Sequence, residues 1–279
     1  KGISALGNKV SLTCKTSCHI FDPFNSKFLS IRLAGAAEND RRLGGKLRIA
    51  LSPMCCRAFI LFVQQRCLVK TFLINPPRAP AIPGSTGIPV IREDACEITA
   101  RDAILPCYSL MQLSTVLKGR GDVVEYVDAN ARDLSWKAVG DRLDAFQADR
   151  LILRCTPTTL SSDLRIAHYC KQTSLRCEVI AISAQLAHFH RELRARYPVD
   201  RWATMPEFFT GFPQPDYSAF DSLPFSTRGS VKPFTITYTS KGCPYSCAFC
   251  ISAGSKVWFR EPRALFAEID MLIERYGLR

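Results

Sequence analysis

Short apolar runs alternate with helix-like segments from residue 70 onward. The apolar runs are rich in Val, Ile and Leu and are typical of buried strands, while the intervening segments repeat apolar residues every three or four positions. Strands that alternate with helices favour a mostly parallel sheet with helices on both faces. The sequence therefore predicts an α/β fold built on a doubly wound parallel sheet, with a long loop at 78–105. The predicted strands are 71–75, 122–128, 151–153 and 177–182.

Four helices are predicted between and after these strands. The first covers 106–118, and the second follows Ser135, whose hydroxyl makes it a favourable N-cap. The third begins at Ser161 or Ser162, and the fourth covers 186–197. Each segment has apolar residues on one face, so the helices are expected to pack on the sheet.

Three cysteines near the C-terminus, Cys243, Cys247 and Cys250, form a C-x3-C-x2-C run. Three thiolates on one short loop can bind three irons of a [4Fe–4S] cluster, which leaves the fourth iron without a protein ligand. An open iron can bind a small molecule and pass it an electron. The spacing therefore predicts a metal site that supports redox chemistry.

Zinc is the main alternative metal for these cysteines. Structural zinc usually has four ligands, but only Cys247 and Cys250 form a C-x2-C pair, and no Cys or His follows them. A disulfide is disfavoured because the chain has no convincing secretory signal. Zinc binding and a chance grouping of thiols therefore stand as the alternatives to an iron–sulfur cluster.

The segments that flank the cysteine run also carry structural signals. Residues 233–240 alternate in polarity and include β-branched side chains, which predicts a strand. After the run, Glu261 is expected to cap a helix that begins at Pro262 and ends at Gly277. Strand, ligand loop and helix would form one βα unit, with the site at the carboxyl end of the strand.

Residues 234–279 resemble the opening of a radical S-adenosylmethionine (SAM) enzyme. These enzymes carry CxxxCxΦC, where Φ is usually aromatic, and Phe249 occupies that position here. The resemblance implies that Cys243, Cys247 and Cys250 bind a [4Fe–4S] cluster and that SAM binds its open iron. It places the backbone around Phe249 against the adenine, with simple packing as the alternative role of the side chain. It also implies reductive cleavage of SAM to a 5′-deoxyadenosyl radical, with an electron donor such as flavodoxin or ferredoxin.

The α/β segment resembles the cobalamin-binding-type, Rossmann-like domain that often precedes a radical SAM barrel. The matching features are Leu-Ile-Asn-Pro-Pro at 73–77, the helix after Pro106, Val-Asp-Ala-Asn at 127–130, the helix from Trp136, the turn 156–159, and residues 216–217 and 223–224. Together the two resemblances cover roughly three-quarters of the chain. They imply cobalamin as a further cofactor.

Two departures from that domain bear on the cobalamin expectation. The Asp-x-His-x-x-Gly motif, whose histidine ligates cobalt in many such domains, is absent, and residues 75–105 contain no histidine. Where a Gly-Gly turn is common after the fourth strand, residues 182–185 are Ile-Ser-Ala-Gln, whose side chains would crowd a nucleotide tail. Some relatives bind cobalamin without a protein ligand, so the alternatives are a cobalamin site and a domain retained for packing or substrate placement.

The radical SAM barrel is expected to be incomplete. Such a barrel needs about six βα units, or on the order of 150 to 200 residues, whereas 29 residues follow Cys250. The sequence therefore predicts a truncated domain with weak SAM cleavage or none. The predicted domains are an irregular basic extension (1–69), a cobalamin-binding-like domain (70–205), a linker (206–232) and the first βα unit of the barrel (233–279).

Positive charge is concentrated in the N-terminal quarter. The formal net charge is +12, and residues 1–70 hold twelve Lys and Arg against three Asp and Glu. Basic tails are more often solvated or disordered than specific binding arms, so nucleic-acid binding is not predicted. Cys14 and Cys18 beside His19 could suggest a metal site, but their spacing fits no common one and favours incidental thiols. No stretch predicts a membrane span, and reduced thiols favour a cytoplasmic location.

The leading functional hypothesis is a fragment of a radical SAM enzyme that contains a [4Fe–4S] cluster, with or without cobalamin. Such an enzyme would carry out methyl transfer or another radical modification on a small-molecule or other substrate that the sequence does not identify. A non-catalytic cofactor-binding module is the second hypothesis. A zinc-bound structural protein is the third.

Overall fold

The computed structural model describes residues 18–22, 27–31, 68–80, 87–93, 96–99 and 102–279. The chain divides into two compact units, 1–60 and 61–279. In the first unit, strand β1 (Cys18–Asp22) pairs with strand β2 (Lys27–Ile31) in an antiparallel ladder. Cys18 and His19 lie in β1, whereas Cys14, the other member of that group, lies outside the described residues.

The second unit contains the remaining elements of the described residues. Its strands are β3 (Lys70–Asn75), β4 (Val90–Glu93), β5 (Cys96–Thr99), β6 (Val123–Asp128), β7 (Arg150–Arg154), β8 (Glu178–Ile182), β9 (Arg201–Ala203), β10 (Ser240–Cys243) and β11 (Ser255–Phe259). Its helices are α1 (Tyr108–Gly119), α2 (Trp136–Phe146), α3 (Leu160–Asp163), α4 (Arg165–Thr173), α5 (His190–Arg196) and α6 (Pro262–Tyr276).

A five-stranded parallel sheet forms the centre of this unit, in the order β6-β3-β7-β8-β9. The four predicted strands are confirmed as β3, β6, β7 and β8, and β9 adds a short fifth strand. The chain order reverses between β3 and β7, so the carboxyl ends of these two strands flank the topological switch point. The α/β fold with a Rossmann-like parallel sheet is therefore confirmed.

The sheet is buried on both faces by two separate apolar layers. On one face Phe72 and Leu151 pack with α2 and α4, and on the other Leu73 and Ile152 pack with α1 and the segment 205–225. Successive strand residues point to opposite faces, so a strand covered on both sides is apolar at nearly every position. This two-sided burial explains why the strands could be recognised as short continuous apolar runs.

The helix boundaries follow local capping chemistry. Ser135 caps α2 as predicted, because its hydroxyl accepts a hydrogen bond from the Ala138 N–H at 3.2 Å. The third predicted helix starts earlier than expected, with a 3-10 turn (Pro157–Thr159) that leads into α3 and α4. The fourth is split into a 3-10 turn (Leu186–Phe189) and α5.

Two expectations about loops and strands are wrong. The predicted loop 78–105 contains the antiparallel pair β4 and β5. The predicted strand 233–240 does not form as one strand, because no strand among the described residues pairs with 233–239 and pairing starts only at Ser240. The cysteine run therefore lies on an antiparallel β-hairpin, β10 to β11, before α6, and not on a βα unit. A segment with strand-like composition does not form a strand unless a neighbouring strand pairs with its backbone.

Helix α6 begins at Pro262 and stops at Gly277, as predicted, with Gly277 in the left-handed region at φ 67°. In the part of the chain that the structure describes, no helix combines the length and apolar character needed to cross a membrane.

Candidate functional site

The cysteine run connects β10 to β11, and a glycine determines how closely these strands approach. Gly242 has φ +91°, a conformation that L side chains rarely adopt. A Cβ at this position would lie 2.1 Å from the carbonyl oxygen of Lys256. The register shifts between Lys241 and Cys243 at the same point, as at a β-bulge. Gly242 is therefore required for the hairpin to close just before the first cysteine.

Backbone hydrogen bonds hold the loop closed. At its base the Cys243 N–H donates to the Ser255 hydroxyl at 2.9 Å. Further along, the Gly254 N–H donates to the Tyr245 carbonyl at 2.8 Å. The Cys250 N–H donates to the Cys247 carbonyl at 3.1 Å, which forms a turn between the second and third cysteines. The three cysteines therefore lie on one short closed loop.

The three thiols are free and reach the surface to different extents. Cys243 and Cys250 are half-buried and Cys247 is exposed. Across the described ranges, no three Cys, His, Asp or Glu side chains lie close enough together to hold a metal ion. The structure thus places the predicted thiols on one loop without bringing their sulfur atoms to a common point. The chemical type of these ligands, three free thiols on one loop, fits the donor set of an iron–sulfur cluster.

The ring of Phe249 stands out from the loop. It is 93% exposed, so the alternative role of packing in a core does not apply to it here. Phe249 lies in the turn between Cys247 and Cys250, next to the thiols that the sequence singled out. An exposed aromatic ring next to a candidate metal site is available to stack on a planar ligand group.

A buried ion pair anchors the hairpin to helix α6. Arg260 follows β11 directly, and its Nη2 lies 2.5 Å from Oε2 of Glu268, with side-chain exposures of 1% and 0%. The same guanidinium donates to the Thr237 hydroxyl at 2.9 Å and to the Gln214 side-chain oxygen at 2.9 Å. Arg260 therefore ties together the hairpin, α6, and the segment that precedes the hairpin.

Two tyrosines extend this network to the α/β domain. Tyr108, the first residue of α1, donates to Glu268 at 2.8 Å, and Tyr217 donates to it at 2.9 Å. Burial and the adjacent Glu268 carboxylate raise the pKa of both phenols, so both stay protonated and donate. Glu268 thus has an ion pair with Arg260 and accepts two hydrogen bonds from tyrosines. These contacts fix the base of the cysteine hairpin on the α/β domain.

The sequence carries one signal of this anchor, at Glu268. Glu268 lies three residues after Leu265 and four before Leu272, so it falls on the apolar face of α6. A carboxylate on an apolar face indicates a buried partner. The partner itself, Arg260, could not be identified from the helix pattern because it lies outside the helix.

A second buried ion pair occupies the carboxyl edge of the sheet. Arg92 on β4 lies 2.8 Å from Asp163, and both side chains are fully buried. Its Nη1 donates to the Asn75 side-chain oxygen at 2.9 Å and to the Pro76 carbonyl at 2.9 Å. Asn75 ends β3, and Asp163 ends the helical segment that follows β7. The Arg92 side chain therefore lies between the carboxyl ends of β3 and β7.

Other polar contacts complete the packing of this edge. The Arg154 Nε donates to the Arg92 carbonyl at 2.8 Å, and the Asn75 amide donates to Asp128 at 2.8 Å. Ser183 follows β8, is fully buried, and its N–H donates to the Ala203 carbonyl at 3.1 Å. The crevice in which open α/β sheets bind ligands is thus filled by the chain's own side chains. These residues do not fit the nucleotide tail of a cobalamin.

Comparisons with known proteins give a distant structural likeness only. No protein-family model matches the chain, and no curated protein matches it. Two structures of a radical S-adenosylmethionine methyltransferase, TsrM, from Kitasatospora setae are similar to it, each with a TM-score of 0.40. One contains tryptophan substrate and a SAM analogue, at 15% identity over 73% of this chain. The other contains cobalamin and a [4Fe–4S] cluster, at 13% identity over 74%.

This chain spans less than half the length of either TsrM structure, 45% and 46%. A functional assignment therefore depends on the residues of the cysteine loop and its anchor.

Proposed function

We propose that this chain is the cluster-bearing part of a radical SAM enzyme. Cys243, Cys247 and Cys250 each bind one iron of a [4Fe–4S] cluster, and the fourth iron is left for SAM. When bound, the cluster supplies the electron that cleaves SAM to a 5′-deoxyadenosyl radical. The observation that carries the proposal is the C-x3-C-x2-C run on a single closed loop whose three thiols are free.

The residues around the thiols have supporting roles in this proposal. Gly242 lets the hairpin close directly before Cys243, so the first ligand position is fixed by a strand ladder. Phe249 presents an exposed ring for the adenine of SAM. Arg260 and Glu268 hold the base of the hairpin on the α/β domain. The loop can then adjust around a cluster while its base stays in place.

We further propose the domain organisation predicted from the sequence, with the α/β domain at 70–205, a linker at 206–232 and the cluster-bearing segment at 233–279. The α/β domain then supports the cluster-bearing segment through Tyr108, which contacts Glu268 across 160 sequence positions. Because the crevice at its carboxyl edge is filled, the proposal includes no chemical step through cobalamin.

Anaerobic reconstitution with ferrous iron and sulfide tests the proposal. We expect about four irons and four sulfides per chain, a broad visible absorbance that bleaches on reduction, and an EPR signal from the reduced cluster. Cys247→Ala should lose the cluster. Cys155→Ala, a matched control at a buried cysteine outside the loop, should retain it.

Two outcomes would overturn the assignment. The first is stoichiometric zinc bound without sulfide, which would support the zinc-bound structural alternative. The second is a cluster that persists in Cys247→Ala, which would place its ligands elsewhere.

A further inference from the structure

Two buried cysteines lie side by side at the amino edge of the sheet, far in sequence from the cysteine loop. Cys170 is in the last turn of α4 and Cys177 directly precedes β8. Both are 1% exposed, yet both line one surface cavity of about 240 Å³. Arg176 and Asp149 line the same cavity. A small polar molecule that enters it would therefore meet both thiols.

A tight turn brings these two residues together. The Ser174 N–H donates to the Cys170 carbonyl at 2.8 Å, and the Cys177 N–H donates to the Ser174 carbonyl at 3.3 Å. The Lys171 ammonium donates to the Cys177 carbonyl at 2.7 Å. The chain thus folds back over seven sequence positions, and both cysteines border the same cavity. The Cys177 thiol donates to the Glu178 carbonyl at 3.9 Å.

A nearby positive charge makes the two sulfur atoms unequal. The Lys171 ammonium lies 2.7 Å from the Cys177 carbonyl oxygen, so a positive charge stands beside the Cys177 thiol. The neighbouring Cys170 thiol lowers the pKa of Cys177, and Lys171 lowers it further against the opposing effect of burial. Cys177 is therefore assigned as the nucleophile of the pair, since the thiolate is the reactive form of cysteine and a nearby cation favours it.

We propose that Cys170 and Cys177 are a redox modification site that forms a reversible intrachain disulfide with a small-molecule disulfide as oxidant. The Cys177 thiolate attacks one sulfur of the oxidant, forms a mixed disulfide and releases one small thiolate, which takes up a proton. Cys170 then loses its proton and attacks the Cys177 sulfur of that mixed disulfide, which releases the second small thiol. Two protein thiols lose two electrons in total, and one small disulfide becomes two thiols.

The geometry favours this product over a persistent mixed disulfide. Both thiols border one cavity, so the second thiol is available to a mixed disulfide formed at the first. The cavity opens at the surface, so one end of the oxidant can reach Cys177, and Cys170 borders the same cavity for the second step. The site lies at the opposite edge of the sheet from Arg92 and does not depend on the proposed function.

Peptide mapping of the full chain tests this inference. The reduced protein is incubated with oxidised glutathione, its free thiols are alkylated, and it is digested with trypsin without reduction. Cleavage after Arg165, Lys171, Arg176 and Arg191 places Cys170 on peptide 166–171 and Cys177 on peptide 177–191. We expect these two peptides to appear as one linked species, with 172–176 released, and to separate on treatment with dithiothreitol.

Variants distinguish a specific pair from general oxidation. In Cys170→Ser the linked species should be lost, and Cys177 should carry glutathione. Cys155→Ser, at another buried cysteine, should keep the link. The inference is overturned if the wild-type chain gives no linked species while the exposed Cys247 reacts with glutathione, or if Cys177 links equally well to other cysteines.

Discussion

Arg260 and Glu268 form a buried ion pair, with 2.5 Å between Nη2 and Oε2, that joins the cysteine hairpin to helix α6. Tyr108 of α1 and Tyr217 join the same network, because each donates a hydrogen bond to Glu268. A pair of this kind does not by itself make a fold stable, because desolvation of the two charges offsets much of their attraction. The pair instead favours one specific arrangement of the hairpin on α6, because burying either charge without its partner costs much free energy.

Glu268→Gln tests the cost of separating this pair. The substitution keeps the size of the side chain but leaves the Arg260 charge buried, so we expect the free energy of unfolding to fall by about 3–5 kcal/mol. Urea unfolding measures this. Lys137→Met, which breaks an exposed pair with Asp141, should change it by less than about 0.5 kcal/mol. Equal effects of the two substitutions would contradict a buried, specific role for Glu268.

Gly242→Ala should open the base of the cysteine hairpin. A Cβ there would approach the Lys256 carbonyl oxygen to 2.1 Å, so the strands must separate. Gly254→Ala is the matched control, because φ there is also positive (+66°) but no atom lies within 4 Å of the added carbon. We expect trypsin to cleave after Lys241 and Lys256 much faster in Gly242→Ala than in the control. Similar cleavage rates would show that the close approach does not hold the hairpin.

Asp216 should make stability depend on acid pH. Burial opposes its ionisation, but hydrogen bonds from Lys118, Ser114 and Ser218 lower its pKa from 3.8 to about 2. The stabilisation is therefore complete above about pH 4 and is lost as pH falls toward 2. Ionised Asp216 should contribute about 1–2 kcal/mol to the free energy of unfolding, after a reduction for solvent screening of the partly exposed Lys118.

Urea unfolding of the wild type and Asp216→Asn between pH 5 and 2 measures this dependence. The difference between the two proteins should shrink as the pH falls. A difference that stays constant over this range would exclude Asp216 as its source.

Hydroxocobalamin should not bind at the carboxyl edge of the sheet. Arg92 fills the crevice between β3 and β7, and its contacts with Asp163 and Asn75 would have to be broken to admit a nucleotide tail. We expect the visible spectrum of hydroxocobalamin to be unchanged by the protein and the compound not to coelute with it on gel filtration. Coelution at equimolar concentration would contradict the conclusion that Arg92 fills the crevice between β3 and β7.

The parts of the fold that depend on local pattern could be predicted from the sequence. The strand 71–75 was recognisable because both of its faces are buried, and Ser135 was recognisable because a hydroxyl before an amphipathic segment caps a helix. The short strand β9 was missed because its three residues are too few to establish a pattern.

The parts that depend on distant partners could not be predicted. Residues 233–239 have the composition of a strand, but no strand among the described residues pairs with them, whereas Ser240–Cys243 pair with a segment on the far side of the cysteines. Arg92 and Asp163 are 71 positions apart, and nothing local in either segment indicates that they meet. The cysteine spacing identified the candidate site, and only the structure located its anchor in Arg260 and Glu268.

The packed carboxyl edge also has a consequence for how the domain is maintained. A protein whose cleft binds a ligand gains stability with the logarithm of the ligand concentration. Here Arg92 already occupies the position that a ligand would take, between the ends of β3 and β7. The α/β domain is therefore expected to keep the same melting temperature whether or not cobalamin is supplied.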